Sequence, residues 1–97
     1  MSAQLLERGA LRYTPAGVPA LDATLQHAAS VVEDGRPRQI SFEIKALGIG
    51  AITQALGALA LGQEAEFSGF LGQTRNGRGL LFHITHLVAH PMPANAL

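Results

Sequence analysis

The sequence predicts an all-β domain: a barrel of five strands, with one short helix between strands 3 and 4. Five segments alternate apolar and polar side chains with a period of two, which is typical of strands that have one buried and one solvated face. One segment between them changes to helical spacing, at Ile49, Ile52, Leu56 and Leu59. With 97 residues, 47% of them hydrophobic, the chain can build one core and one domain.

The first two predicted strands are joined by a turn rich in proline and glycine. The first strand covers residues 5–13, and the second alternates apolar and polar residues over 21–26. Pro15 fixes one backbone angle and Gly17 permits a positive φ. The chain is therefore expected to reverse direction between these strands.

The third predicted strand, residues 39–47, has the clearest alternation and follows a turn at Glu33-Asp34-Gly35. Its pattern places Phe42 inside the barrel and Lys45 on the solvated face. The helical segment comes next, and Gly62 is expected to end it as a C-terminal cap.

Two further strands complete the pattern. The fourth begins at Glu64 and carries Phe70 on its solvated face, where it is a candidate for base stacking or for a dimer or partner contact. Asn76-Gly77 is a hairpin signal. The fifth strand covers residues 79–88, and its alternation places Leu80, Phe82, Ile84, His86 and Val88 on one face.

Three strands, a helix and two strands follow the order of the oligonucleotide/oligosaccharide-binding (OB) fold. Residues 1–90 are expected to form this domain, and residues 91–97 a disordered tail.

Composition excludes several classes of protein. Without cysteine there can be no disulfide and no thiolate metal site, which fits a reducing compartment. Neither a signal peptide nor an apolar run of the roughly 18–20 residues that a membrane span needs is evident. A cytoplasmic protein without membrane contact is therefore expected. Lys plus Arg equals Asp plus Glu, seven each, so there is no overall basic excess for nucleic acid.

The placement of the basic residues still suggests a rim of positive charge. The arginines fall at turns and strand ends, where an OB fold contacts nucleic acid. Tyr13 could stack a base or pack against the fold. The candidate nucleic-acid-binding residues are Arg12, Arg36, Arg38, Arg75, Arg78, Lys45 and Tyr13.

No catalytic or metal-binding motif is present. His83 and His86 lie three apart on one predicted strand and should point to opposite faces, and no close carboxylates complete a metal site. A nucleophile elbow, a phosphate loop and suitably paired carboxylates are all absent. We therefore expect a binding protein that is not an enzyme and needs no cofactor.

The string Arg12-Tyr13-Thr14-Pro15-Ala16-Gly17-Val18-Pro19, with Leu21-Asp22 and His27 after it, resembles the first hairpin of the PriB family, bacterial primosomal replication protein N. Weaker matches are Gly69-Phe70-Leu71 and Arg75-Asn76-Gly77. The resemblance implies a single-strand-binding-like OB fold, a homodimer, single-stranded DNA binding, and contact with the helicase PriA and with DnaT. It places basic DNA contacts at Arg12 and Arg75.

Where the family is expected to carry stacking aromatic residues, this chain has Arg36 and Ser41. Ala28 stands where the family is expected to carry a basic residue on the second strand. The predicted function is an accessory protein of replication restart that bridges single-stranded DNA to the helicase. The alternative is an OB-fold protein-interaction module with little DNA binding of its own.

Overall fold

A computed structural model describes residues 1–74, 77 and 79–91. Five long strands close into a barrel in the order β1-β3-β4-β6-β5, because β1 pairs with both β3 and β5. The predicted five-stranded barrel with one helix is confirmed. Within the described ranges, no helix is long and apolar enough to cross a membrane. The elements in chain order are β1 (Ser2–Arg8), β2 (Arg12–Tyr13), β3 (Pro19–Glu33), β4 (Arg36–Ile49), α1 (Ile52–Ala58), β5 (Glu64–Gln73) and β6 (Leu80–Ala89).

The first predicted strand is interrupted. β1 ends at Arg8, and Arg12–Tyr13 pairs with the start of β3 as the separate short strand β2. Leu11 and Tyr13 consequently lie outside the barrel, 51% and 65% exposed. Because of this extra strand, α1 follows the fourth strand of the chain, although it still lies between the third and fourth strands of the barrel.

The predicted turns reverse the chain where expected. Gly17 takes a φ of 81°, and its N–H donates to the Thr14 carbonyl over 2.8 Å. At the tip of the β3–β4 hairpin, Asp34 and Gly35 both have positive φ, as the two-residue hairpin turn requires.

The helix closes the core but its ends differ from the prediction. Leu56 is fully buried among barrel residues, with Leu5, Leu25 and Phe67. The helix starts at Ile52 because Gly50 takes a φ of 87°. Leu59, and not Gly62, occupies the C-cap. Gly62 makes a later turn, where its N–H donates to the Leu5 carbonyl over 2.7 Å.

Part of the β3–β4 hairpin extends beyond the barrel, and we call residues 27–42 the arm. In the described structure, β3 pairs with β1 only as far as Gln26, while its pairing with β4 continues to the tip. Seven residues on each strand, at about 3.3 Å per residue, give an arm of roughly 23 Å. One side of the arm continues the inner face of the barrel and carries His27 together with the apolar residues Ala29, Val31, Ile40 and Phe42.

The prediction that Phe42 is buried in the barrel is wrong. Its ring is on the predicted side of β4, with Ile44 and Ala46, but it lies in the arm, where no second layer covers it. Phe42 is 44% exposed and contacts the His27 ring at a centroid distance of 5.3 Å. Alternation correctly assigns the face, but it does not establish burial.

A β-bulge changes the face assignment along β6. The register pairs Gly69 with Ile84 and Ser68 with His86, which leaves Thr85 as the extra residue. Leu87 therefore faces Phe67 on the inside. The prediction that His86 and Val88 share a face with Phe82 and Ile84 is wrong, since His86 and Val88 lie outside the barrel.

Candidate nucleic-acid interface

The strand registers define an outer face of the sheet that runs over four strands. Asp22 on β3 pairs with Leu47 on β4, Leu47 with His83 on β6, and His83 with Phe70 on β5. We call this surface over β3, β4, β6 and β5 the outer face. In an OB fold, nucleic acid lies on the second and third barrel strands, here β3 and β4, beside the loops that flank them.

Arg12 lies on the outer face but its charge is already paired. Its guanidinium donates to both carboxylate oxygens of Asp22, with Nε 3.1 Å from Oδ2 and Nη2 3.3 Å from Oδ1. These hydrogen bonds, and then the negative charge of Asp22, raise the pKa of Arg12 above its usual value. Arg12 thus remains cationic, with part of its donor set committed to Asp22.

Lys45 is the candidate with the most suitable position. It is exposed on the outer face of β4, opposite Thr24, and its ammonium donates to Thr24 Oγ1 over 3.3 Å. The hydroxyl is a neutral partner, so the Lys45 charge is available to an anion. Lys45 and Arg8 border a depression of about 220 Å³ that also contains Glu7 and Asp22. The outer face is therefore of mixed charge.

The two arm arginines do not join this surface. The register pairs Arg38 with Val31 and Arg36 with Glu33, which places both on the side of the arm that carries Phe42. Arg38 is also paired with the Glu33 carboxylate at 3.6 Å. Arg36 and Arg38 therefore lie on the opposite side of the sheet from Lys45, because an even number of positions separates them from Phe42 and an odd number from Lys45.

The remaining candidate nucleic-acid-binding residues contribute less to the described outer face. Tyr13 is exposed on β2, opposite Pro19, which removes it from the core. Arg75 and Arg78 lie outside the described residues, as does the predicted tail from residue 92 onward. At the position where the resemblance implies an aromatic residue, the Ser41 hydroxyl accepts a hydrogen bond of 3.4 Å from the Gln26 amide.

The outer face also carries a stacked ring pair, in which the sequence predicts Phe70 as a candidate for base stacking but does not predict its partner His83. Phe70 and His83 are nearly parallel, with an interplanar angle of 7° and centroids 4.7 Å apart. Alternation placed Phe70 on the solvated side, where it is 58% exposed. The pairing with His83 depends on strand register, and the only sequence signal for it was the exposed position of Phe70.

Two histidines share a face of the sheet. Because of the bulge, His83 and His86 face the same side of the sheet, contrary to the prediction from their spacing. In the described ranges, however, no three His, Cys, Asp or Glu side chains gather as metal ligands would.

Comparisons with known proteins agree with this architecture. The model of a family described as "another single-strand binding protein family" matches residues 1–86. Replication restart protein PriB of Bordetella pertussis is 44% identical over 75 residues, which cover 77% of this chain and 70% of that protein.

Among solved structures, PriB of Ralstonia solanacearum has a TM-score of 0.83 and 38% identity over 94% of both chains. The single-stranded DNA-binding protein of Thermus aquaticus has a TM-score of 0.73 with 21% identity, over 93% of this chain and 48% of that one, a likeness of fold alone. The matches in sequence and structure agree, and the chain belongs to the PriB family, with the OB fold of single-strand binding proteins.

Proposed function

We propose that this protein is an accessory factor of replication restart, which holds single-stranded DNA in the cytoplasm and presents it to the restart helicase. The observation that carries the proposal is the 44% identity to a protein named Replication restart protein PriB over 77% of the chain. The mechanism contains no bond-making step. Cationic side chains position the phosphates, and the protein surface recruits the motor.

The outer face supplies the proposed DNA contacts. Lys45 and Arg12 would neutralise phosphates there, and Arg75 and Arg78, which lie between β5 and β6 in the sequence, would add to them. Arg36 and Arg38 would take part only if the strand wraps around the arm, since they lie on its other side. Tyr13 is exposed enough to meet a base.

A fluorescence anisotropy titration with an oligo-dT strand at several salt concentrations tests DNA binding. Affinity should fall with salt, and Lys45→Ala should reduce the log–log slope by about 0.7, the value for one phosphate contact on a single strand. Arg38→Ala is the matched control for a strand confined to the outer face and should leave the slope unchanged. Wild-type protein that binds no oligonucleotide would refute the DNA-binding part of the proposal.

The proposed assembly is a homodimer. The apolar side of the arm exposes Val31, Ile40 and Phe42 by 37%, 41% and 44%, and a second copy would cover this surface. Light scattering should then give about twice the chain mass of 10.2 kDa. Ile40→Asp should yield monomers. Gln39→Asp, which places the same charge on the polar side of the arm, should leave the dimer intact.

Contacts with PriA and DnaT are proposed from the family resemblance and are tested by binding of the purified proteins. A second candidate function, a protein-interaction module with little DNA binding, is favoured by the ion pairs that occupy Arg12 and Arg38. Helicase binding without oligonucleotide binding would select this second function.

A further inference from the structure

We infer that Phe70, backed by His83, is a stacking platform for an unpaired base of single-stranded DNA. The inference rests on the proposed function and names a binding position within it. A base would lie on the face of the Phe70 ring that His83 does not cover. Stacking on an aromatic ring accepts any base, because every base has a π face.

Aromatic residues are scarce in this chain, which makes the position of Phe70 informative. There are four Phe, one Tyr and no Trp. Phe67 and Phe82 are buried in the core, at 0% and 8% exposure, and Phe42 lies on the apolar side of the arm. Phe70 is thus the phenylalanine whose ring reaches the outer face.

The ring pair is held in place by the backbone around it. A side chain at Gly72 would come within 3.0 Å of His83 Nε2, so the imidazole occupies space that Gly72 leaves open. At Gly69 a Cβ would lie 1.8 Å from the His83 carbonyl oxygen, so the two backbones approach closely at the bulge. Gly72 thus leaves room for the His83 ring beside Phe70, and Gly69 lets the backbones of β5 and β6 approach at the bulge.

The platform lies beside the cationic part of the outer face. His83 pairs with Leu47, and Lys45 is two residues away on the same side of β4. Phe70 is two strands from β4, about 10 Å at the usual strand spacing. A base on Phe70 and a phosphate at Lys45 can therefore belong to one bound strand. The platform also supplies a ring on a surface where position 41 holds serine.

The chain has no tryptophan, so one substitution gives a site-specific probe. Phe70→Trp should show quenched emission when oligo-dT binds, with unchanged or higher affinity. Phe42→Trp is the control, since it places the same probe at an exposed phenylalanine on the other side of the sheet, and its emission should not change.

Phe70→Leu keeps an apolar side chain and removes the π face. It should weaken oligo-dT binding by about tenfold, within the range for one stacked base. The same variant should bind an abasic oligonucleotide of equal length as wild type does, which a merely misfolded protein would not. Wild-type DNA binding without quenching in Phe70→Trp, or with full affinity in Phe70→Leu, would overturn the platform alone. Absence of DNA binding by the wild type would overturn both proposals.

Discussion

The strands β3 and β4 run through both the barrel and the arm, and the two regions differ in what covers these strands. In the barrel, the inward residues Leu25 and Ala46 are buried by α1 and by the opposite strands. In the arm, Ile40 and Phe42 continue that face, yet each is more than 40% exposed. The alternation of side chains is the same along both halves. Burial therefore depends on a second layer of strands or helix over the apolar face, and the register within one hairpin does not predict whether that layer is present.

The largest effect is expected in the barrel. Phe67 is fully buried, and Phe67→Ala should lower the free energy of unfolding by about 3–5 kcal/mol, the usual cost of truncating a core phenylalanine. Urea denaturation measures it. A loss below about 1 kcal/mol would mean that the barrel interior is no better packed than the arm and would remove the contrast between them.

The second largest effect on stability is expected at the bulge between β5 and β6. Gly69→Ala would place a Cβ 1.8 Å from the His83 carbonyl, so the backbone must move, at a cost of about 2–3 kcal/mol. Gly57→Ala is the control because a Cβ there meets only Leu21 Cδ2 at 3.9 Å. In the helix interior that change should stabilise the fold by about 0.5–1 kcal/mol. Equal effects at the two glycines would contradict the close strand approach.

A substitution in the arm should lower the free energy of unfolding by less than either change in the barrel. Phe42→Ala removes a half-exposed ring, so the loss in a single copy should be about 1 kcal/mol, well below that for Phe67→Ala. If the arm joins two copies, the difference between wild type and Phe42→Ala should grow with protein concentration. Urea midpoints at two concentrations separate the cases. A loss as large as that of Phe67→Ala in dilute protein would show that the arm is covered within one chain.

The sequence predicts the barrel well because local patterns determine local faces. Strand number, the turns at Gly17 and Gly35, and the buried row on β3 all follow from period two and from turn residues. Prediction from the alternation fails where a strand contains an extra residue or where no second layer covers an apolar face. The Thr85 bulge moves His86 and Val88 to the opposite face from Phe82 and Ile84, and the arm leaves Phe42 uncovered.

The candidate site is less predictable for a related reason. Ionic pairs such as Arg12–Asp22 join residues ten positions apart, and charge counting alone does not reveal them. Arg38 and Lys45 lie on opposite sides of β4 because an odd number of positions separates them, and this could have been predicted from the sequence. The Phe70–His83 pair depends on the pairing of β5 with β6 and on the bulge, which only the folded chain provides.

The smallest effect is expected at Glu66, on the exposed side of the barrel where β5 pairs with β1. The Ser2 hydroxyl donates to its carboxylate and the Met1 ammonium lies 3.2 Å away, which lowers the pKa of Glu66 in the folded state. A carboxyl whose pKa falls on folding stabilises the fold above the pKa that it has in the unfolded chain, and loses that contribution as pH drops through the folded value. Glu66→Gln should therefore be slightly less stable than wild type near neutral pH, with the difference vanishing in acid. The double-mutant cycle of Ser2→Ala with Glu66→Gln should give a small coupling at neutral pH and none in strong acid. A coupling that persists unchanged in acid would mean that the neutral carboxyl makes the contact equally well.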